Sequence, residues 1–365
     1  MILLYKFIQN IIIINKGKEH KYLEIESVAM IRLLEGKEKI NSRPLYEECF
    51  LEDTKEYIDY YYNNRVSENE IVVNEKDGKI VSALHLIAKL AVVGNIKTNI
   101  TYIYAVGTLE KYRKKGYSKE IFDDVIKAMF VNMDSFTYLI PSNEQNGEIY
   151  KKYGFEYVMD KPLMMEKEHR RNPSHSVIKR KAENSDFVKL SIFAQQTVNN
   201  KYAISLAKDI EYFKKLKEVV EVEGGDIEIF IENKVIVGYR VIVDDEIIEE
   251  VLDDSLNTLS WQSDVTKPYA MARIINIRKT LVFLSFKDFK ERTIKITDPI
   301  INENNGCFKM TYHHGSVKLD KIEKTDDVDF DVTIGELTAH IFGYKSIPNF
   351  PEVCKNNSFF INDYL

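Results

Sequence analysis

A chain of 365 residues is too long for one ordinary hydrophobic core, so two or three domains are expected. Hydrophobic residues make up 44% and charged residues 30%, the balance of a soluble globular protein, and a formal net charge of -6 argues against generic nucleic-acid binding. The three cysteines, Cys49, Cys307 and Cys354, lie far apart, which argues against a zinc site and a disulfide scaffold and fits a reducing cytoplasm.

Residues 1–14 are apolar with one lysine, Lys6, but they are too few to span a bilayer and no small-residue cleavage site follows. No membrane segment is expected, and residues 1–28 read as a poorly ordered extension before the first domain. Residues 31–34 read as the first strand, and helical patterns follow at 40–50 and 55–63. Asp77-Gly78 between 71–74 and 79–86 is a hairpin signal. The runs 88–93 and 100–108 read as antiparallel partners around Gly94-Asn95. Ile121, Phe122, Val125, Ile126 and Met129 have helical spacing within 118–130. A short strand at 136–140 ends at Pro141.

Composition shifts over 161–173, where Lys, Glu, His, Arg and Pro dominate, and this stretch reads as a linker. Beyond it, helices at 185–198 and 207–219 precede strands at 227–231 and 235–243. This repeats the order of helix, helix and hairpin in the first unit without its basic turn, so the second unit reads as a packing repeat without chemistry. Strands at 274–277, 293–296, 307–312 and 328–333 and a helix at 334–342 make a third unit. The tail from 349 carries Phe359, Phe360, Ile361, Tyr364 and Leu365, and an apolar end of this kind is expected to dock. His313 and His314 are adjacent and read as a surface pair whose rings point apart. No histidine spacing offers a metal site, and no metal is expected.

The chemistry concentrates in 102–157. Arg113-Lys114-Lys115-Gly116-Tyr117-Ser118 sets a basic turn with glycine where a helix begins. Backbone N–H groups at such a point are unsatisfied and carry partial positive charge, so a diphosphate fits there. Gly116 removes the side chain that would block its approach, and the three cations strengthen the attraction. A solvated basic turn before an ordinary amphipathic helix is the competing reading of the turn alone. About thirty residues on, Asn143 is followed at seven residues by Tyr150 and then by Gly154-Phe155, with Gly154 placed to cap a helix.

Both segments, in this order, resemble the GNAT superfamily of acetyl-CoA-dependent N-acetyltransferases. The whole chain resembles its enhanced-intracellular-survival branch, which joins a catalytic GNAT domain, a GNAT-like domain without its own cofactor, and a sterol-carrier-like domain. Gly224-Gly225 and Val237-Gly238-Tyr239 are similar to the middle domain. Met271-Ala272-Arg273, Ile296-Thr297-Asp298-Pro299, Asn304-Asn305-Gly306, Ile334-Gly335-Glu336-Leu337-Thr338 and Phe342-Gly343-Tyr344 are similar to the third. The resemblance implies an α/β (α+β) fold: a catalytic domain over 29–165, a second mixed-sheet domain over 166–265 and a sterol-carrier-like domain over 266–365.

It also implies the site. Val106, Gly107 and Thr108 would meet the pantetheine arm. Arg113, Lys114, Lys115, Gly116, Tyr117, Ser118 and Lys119 would hold the diphosphate, with Asn143 and Asn146 beside the cofactor. Tyr150 would be the general acid, with Tyr153 as its nearest rival. The terminal carboxylate of Leu365 would reach the active site. That carboxylate has an ordinary pKa of about 3.3–3.7, a weak base toward an alkylammonium, so its surest role is to attract and orient the cation. The branch often ends in an aromatic residue where this chain has Leu365, and often has proline where it has Glu110. The implied donor is acetyl-CoA. The implied acceptors are small-molecule or peptide amines of the aminoglycoside, lysine-like or polyamine kind. The implied setting is a cytoplasmic homo-oligomer, a hexamer in that branch, with no nucleic-acid or membrane partner. The competing expectation is a non-catalytic CoA sensor or lipid carrier. An open apolar tunnel in the third domain with a blocked pantetheine cleft would mark it. Glu47, Glu48, Glu52 and Asp53 read as a solvated face rather than as a lining of the acceptor pocket.

Overall fold

The structure, a computed structural model, describes residues 30–94, 96–174, 176–353 and 359–361. The first unit runs β1 (Met30–Leu34), α1 (Arg43–Cys49), α2 (Lys55–Tyr60), β2 (Glu70–Lys76), β3 (Lys79–Val93), β4 (Ile96–Thr108), α3 (Tyr117–Val131), β5 (Phe136–Leu139), α4 (Glu144–Lys151) and β6 (Glu156–Met164). Pro44 stands in the first turn of α1, where its missing N–H costs nothing. The Thr54 hydroxyl caps α2 by accepting from Tyr57 N at 3.1 Å. α2 then widens into a π turn, Tyr61–Arg65. Asp77 and Gly78 both take positive φ, 52° and 71°, as a two-residue turn between β2 and β3 requires.

The second unit holds β7 (Val177–Lys181), α5 (Phe187–Lys201), β8 (Ile204–Leu206), α6 (Ile210–Val222), β9 (Asp226–Glu232), β10 (Val235–Val243) and β11 (Glu246–Leu252). Its sheet has the order β11-β10-β9-β7. Inside it, Lys208 and Glu249 form a buried ion pair at 2.6 Å, and the hydroxyls of Tyr212 and Tyr239 donate to the same carboxylate. The remainder is β12 (Gln262–Ile274), α7 (Ile277–Val282), β13 (Arg292–Thr297), β14 (Gly306–His313), β15 (Ser316–Lys321), β16 (Phe330–Thr333), α8 (Ile334–Ile341) and β17 (Phe359–Phe360). A four-stranded sheet, β15-β14-β13-β16, forms the third unit.

The units are not beads on a string. The first sheet has the order β1-β2-β3-β4-β5-β12-β6, so β12 enters between β5 and β6. Met271 faces Leu139 on one side and Tyr157 on the other. This strand crosses the expected boundary between 265 and 266. Where β3 runs on past its pairing with β2, β8 pairs with it at Ala91–Val93, and β17 pairs with β8. The expected docking of the tail is seen at Phe359, Phe360 and Ile361, all buried. Phe359 stacks on Phe342 with ring centroids 5.3 Å apart, and Ile361 N lies 3.3 Å from Met159 Sδ.

Two local expectations are corrected. Residues 274–277 are not a strand: β12 ends at Ile274, and the Asn276 side chain accepts from Lys279 N at 3.0 Å to start α7. His313 and His314 do not point apart. His314 has φ 47° in the turn after β14, and the two ring centroids are 4.7 Å apart. The alternation argument holds only while the backbone is extended.

Candidate active site

β4 and β5 run parallel but pair at only two positions, Thr101 with Thr137 and Tyr102 with Tyr138. Beyond Tyr102, β4 continues to Thr108 with no strand on its β5 side among the described residues. The two strands therefore splay, and past Tyr102 the β4 edge has no strand on that side; side chains take its last carbonyls, Ser82 Oγ donating to Gly107 O at 2.9 Å and Arg113 Nε to Thr108 O. A bulge sits at this point. Tyr104 pairs with His85 and Gly107 with Ala83, so Ala105 and Val106 together oppose Leu84. Ala105 holds φ 48°, a left-handed conformation that a non-glycine residue rarely takes, and it re-aims the strand edge.

After Thr108 the chain makes a short turn and enters α3. Arg113 Nε donates to Thr108 O at 3.0 Å, which closes the turn. Lys114 has φ 61° and Gly116 φ 94°, so the backbone curls around the entrance to the helix. No side chain caps α3, and the first amide of this region to find a backbone carbonyl is Glu120 N, on Gly116 O at 3.0 Å. The amides of Tyr117, Ser118 and Lys119 come before it and point out of the helix end. A Cβ built on Gly116 would have nothing within 4 Å, so the space before those amides is open. Arg113, Lys114 and Lys115 are exposed around it. Lys119 turns instead to Asp123 at 2.5 Å, and Tyr117 is buried. The buried face of α3, from Ile121 to Met129, packs on the sheet as its spacing predicts.

α4 lies against the same face. Asn143 is its N-cap, accepting from Asn146 N at 2.9 Å, and Asn146 Nδ2 donates to Ser142 Oγ at 2.7 Å. Both side chains thus have a structural task. Gly147 lets the helix sit on Tyr157, whose hydroxyl would be 2.2 Å from an added Cβ. Gly154, at φ 82°, ends the segment, and Phe155 N reaches back to Tyr150 O at 3.3 Å. Tyr150 is half-buried and packs with Phe122 and Phe155, on the face that also carries Val106. Its hydroxyl makes no hydrogen bond among the described residues; burial and the neighbouring Tyr153 push its pKa up, so it keeps its proton at any working pH. Tyr153 is more deeply placed, stacked on Phe122 at 4.5 Å.

The opposite face of β4 carries α1 and α2. Gly107 serves this contact: a Cβ there would meet Leu45 at 2.9 Å and Cys49 at 3.1 Å. Thr108 Oγ1 bonds to Ser82 Oγ at 2.8 Å. The sequence reading missed what lies beside them. Tyr104 Oη is 2.6 Å from Tyr46 Oη and 2.9 Å from Tyr57 Oη, and Tyr46 Oη donates to Asp53 Oδ2 at 2.6 Å. Asp53 is half-buried, whereas Glu48 and Glu52 are exposed and Glu47 pairs with Arg43 at 2.7 Å. The solvated-face expectation thus fails at Asp53 alone. The density of tyrosine over 46–62 was the available signal.

Leu365 and Tyr364 lie outside the described residues. Of the expected site residues, Tyr150 and Val106 share one packed cluster with Phe122 of α3, and Arg113 is bonded to Thr108, whereas Asn143 and Asn146 bond within the start of α4. Elsewhere, Glu166, Glu168 and His169 bring ligand atoms within 4.8 Å of one another, all exposed. Among the described residues no helix is long and apolar enough to cross a membrane.

Comparison with known proteins agrees with this geometry. Residues 30–158 match the family described as an acetyltransferase (GNAT) domain, and residues 280–351 match a sterol carrier protein domain. No curated protein sequence matches the chain. Among solved structures, the chain is similar to a probable N-acyltransferase from Enterococcus faecalis V583, at 15% identity and TM-score 0.71, covering 88% of this chain and 91% of that one. It is also similar to a GCN5-related N-acetyltransferase from Anabaena variabilis, at 15% identity and TM-score 0.63, covering 86% and 90%. Eis1 from Mycobacterium abscessus aligns at 11% identity and TM-score 0.61, covering 87% and 90%. At such identities the likeness is one of fold, across the whole three-part arrangement. The chain thus carries an acetyltransferase (GNAT) domain over residues 30–158 and a sterol carrier protein domain over residues 280–351.

Proposed function

We propose that the chain transfers an acetyl group from acetyl-CoA to a primary amine of the aminoglycoside, lysine-like or polyamine class, by direct attack. The observation that carries this reading is the open, uncapped start of α3 next to the splayed β4 edge. The amides of Tyr117 to Lys119, with Arg113, Lys114 and Lys115 around them, suit a diphosphate. The β4 edge from Val106 to Thr108 suits the amide groups of a pantetheine arm, and a backbone N–H near Val106 is placed to steady the developing oxyanion. Acetyl-CoA supplies the thioester; this chain supplies the grip, the orientation and the proton. Tyr150, with a hydroxyl held protonated by burial, gives its proton to the departing thiolate. The other half of the reading is the chain's end. Ile361 is fixed beside Met159 on β6, and four residues follow it, a reach of at most about 14 Å. In this proposal the Leu365 carboxylate attracts and orients the incoming cation.

A screen of acceptor amines with thiol release as the readout tests the proposal. For an amine that is turned over, Tyr150→Phe is expected to lower kcat by about 10²-fold or more while acetyl-CoA affinity holds, because only a proton donor of the transition state is lost. Unchanged turnover removes that role. Extending the chain past Leu365 is expected to cripple turnover in a protein that stays folded; full activity of such a form takes the terminal carboxylate out of the mechanism.

A further inference from the structure

The acceptor amine arrives protonated and must lose a proton before it can attack. A terminal carboxylate, with an ordinary pKa of about 3.3–3.7, is too acidic to take it efficiently. We propose that the hydrogen-bonded chain Tyr104–Tyr46–Asp53 is a proton relay that carries this proton from the acceptor ammonium to the Asp53 carboxylate. The proposal rests on the acetyl-transfer reading and goes beyond it.

The polarity of the chain is forced by its end. An ionised Asp53 only accepts, so Tyr46 commits its hydrogen to Asp53 Oδ2 at 2.6 Å. Tyr46 Oη must then accept from Tyr104 at 2.6 Å. Tyr104, having donated its one hydrogen, accepts from Tyr57 at 2.9 Å and keeps a second lone pair for a donor in the cleft. An ammonium is such a donor. Tyr104 stands at the right place for one. It is two residues past the last β4–β5 pair, directly before the Ala105 bulge, on the face opposite Tyr150 and α3, and it is half-buried. The bonds, at 2.6–2.9 Å, lie in the range for hydroxyl donors.

The step balances without any co-reactant. The ammonium N–H bond breaks and its proton joins Tyr104 Oη. The proton of Tyr104 passes to Tyr46 Oη, and the proton of Tyr46 passes to Asp53. The products are a neutral amine and a carboxylic acid, with both phenols restored. Burial pushes the pKa of Tyr46 and of Tyr104 upward, so the hops are concerted and no phenolate stands in between. Asp53 is only half-buried, so it can return the proton to solvent. Burial also raises its pKa from the ordinary aspartate value, against the opposing Tyr46 hydrogen bond and with Glu52 adding to the rise, which makes it a better base.

The other titratable groups facing this chain are Tyr57, Tyr61 and Tyr62 from α2 and its π turn, Tyr102 on β4 and His85 on β3. Cys49 on α1 lies between Glu48 and Arg113, and burial raises it. Lys39 is close enough to act on His85. His85 is pushed down to about 3 by full burial, so it stays neutral across the working range. The acid limb of the pH profile therefore belongs to Asp53. Its sign follows: activity is lost as pH falls through the Asp53 pKa, because a protonated Asp53 has no room for the incoming proton.

The test is the pH dependence of kcat, by thiol release, in the full chain and five variants, with acetyl-CoA affinity by calorimetry as the check on folding. Asp53→Asn is expected to lose the acid limb, to fall about 10²-fold at pH 7 and to recover as pH approaches the pKa of the amine. Tyr104→Phe is expected to fall by a similar factor, and the double variant no further than either, as for two links of one path. Asp53→Glu restores the limb in part. Tyr57→Phe leaves the path whole and the profile unshifted. An intact acid limb in Asp53→Asn, or losses that multiply in the double variant, overturns the relay alone. No turnover by the unmodified chain overturns the acetyl-transfer reading and the relay with it. Should Asp53→Asn fail to fold, Tyr104→Phe, which removes one oxygen from a half-buried ring, carries the same test.

Discussion

Replacing Asp298 by alanine is expected to destabilise the protein by about 3–5 kcal/mol, the cost of leaving a buried charge without its partner. The reason is the hub at Arg273. Both side chains are fully buried, and Arg273 Nη2 meets Asp298 Oδ1 at 2.7 Å and Oδ2 at 3.0 Å. Arg273 Nη1 donates to Tyr153 O at 2.8 Å, which pins the end of the α4 segment. Asp298 also accepts from Ile300 N and Ile301 N, each at 2.9 Å, and from Asn304 Nδ2 at 3.0 Å. Asn304 in turn donates to Ile275 O at 2.8 Å. Alanine therefore takes the carboxylate from the guanidinium, leaves the amides of Ile300 and Ile301 unpaired and removes one of the two acceptors of Asn304, and each buried donor left unpaired adds to the loss. Against a total stability of about 5–15 kcal/mol for an ordinary domain, the change is large. It is read as a lowered urea midpoint with an unchanged slope. Because the hub holds Tyr153 O, three residues after Tyr150, kcat is expected to fall in whatever fraction remains folded. Asp298→Asn keeps one acceptor oxygen, turns the other into a donor and removes the charge, so it is expected to fall between alanine and the native chain. A midpoint for Asp298→Ala within error of the native one would show that the hub carries no stability.

This hub also shows where reading the sequence stops. Met271-Ala272-Arg273, Ile296-Thr297-Asp298-Pro299 and Asn304-Asn305-Gly306 were visible as a motif order with no chemistry. Their joint meaning is one buried ion pair, which nothing local encodes. The same limit hid the place of β12. Its first half, Gln262 to Lys267, is polar and largely exposed, so it has the look of a loop. Its partners on β5 and β6 lie roughly a hundred residues earlier, and periodicity says which face a strand buries, not which strand lies beside it. What was legible was what local physics dictates: the Asp77-Gly78 hairpin, the buried face of α3, the glycine that opens α3 and the glycine that ends the α4 segment. The tyrosine chain was illegible for the opposite reason. Tyr46, Asp53, Tyr57 and Tyr104 come from α1, the turn after it, α2 and β4, and a tyrosine alone reads as packing. Only the hydroxyl-to-hydroxyl distances turn packing into a path.

Gly116→Glu is expected to abolish CoA binding, a loss of more than about 10²-fold in affinity, while the fold survives. Two effects add, and they can be separated. Gly116 holds φ 94°, so any L side chain there is strained, by about 1–2 kcal/mol. Gly116→Ala shows that strain alone, because its methyl would have nothing within 4 Å to clash with. Glutamate adds a carboxylate in the space ahead of the free amides of Tyr117, Ser118 and Lys119. That is where the positive end of α3 would otherwise meet the diphosphate. Its charge repels the ligand and also satisfies the helix end itself, so the site is both blocked and neutralised. Calorimetry with CoA should therefore rank the native chain above Gly116→Ala, and Gly116→Ala far above Gly116→Glu. The gap between the two variants should narrow as salt is raised, since exposed charges are screened beyond about 10 Å at 0.1 M. Thermal melting should separate them little, because a carboxylate at a helix N-terminus stabilises the helix by a few tenths of a kcal/mol to about 1. Equal CoA affinity for the two variants would mean that the diphosphate does not sit before α3, and the grip assigned to Arg113, Lys114 and Lys115 would fall with it.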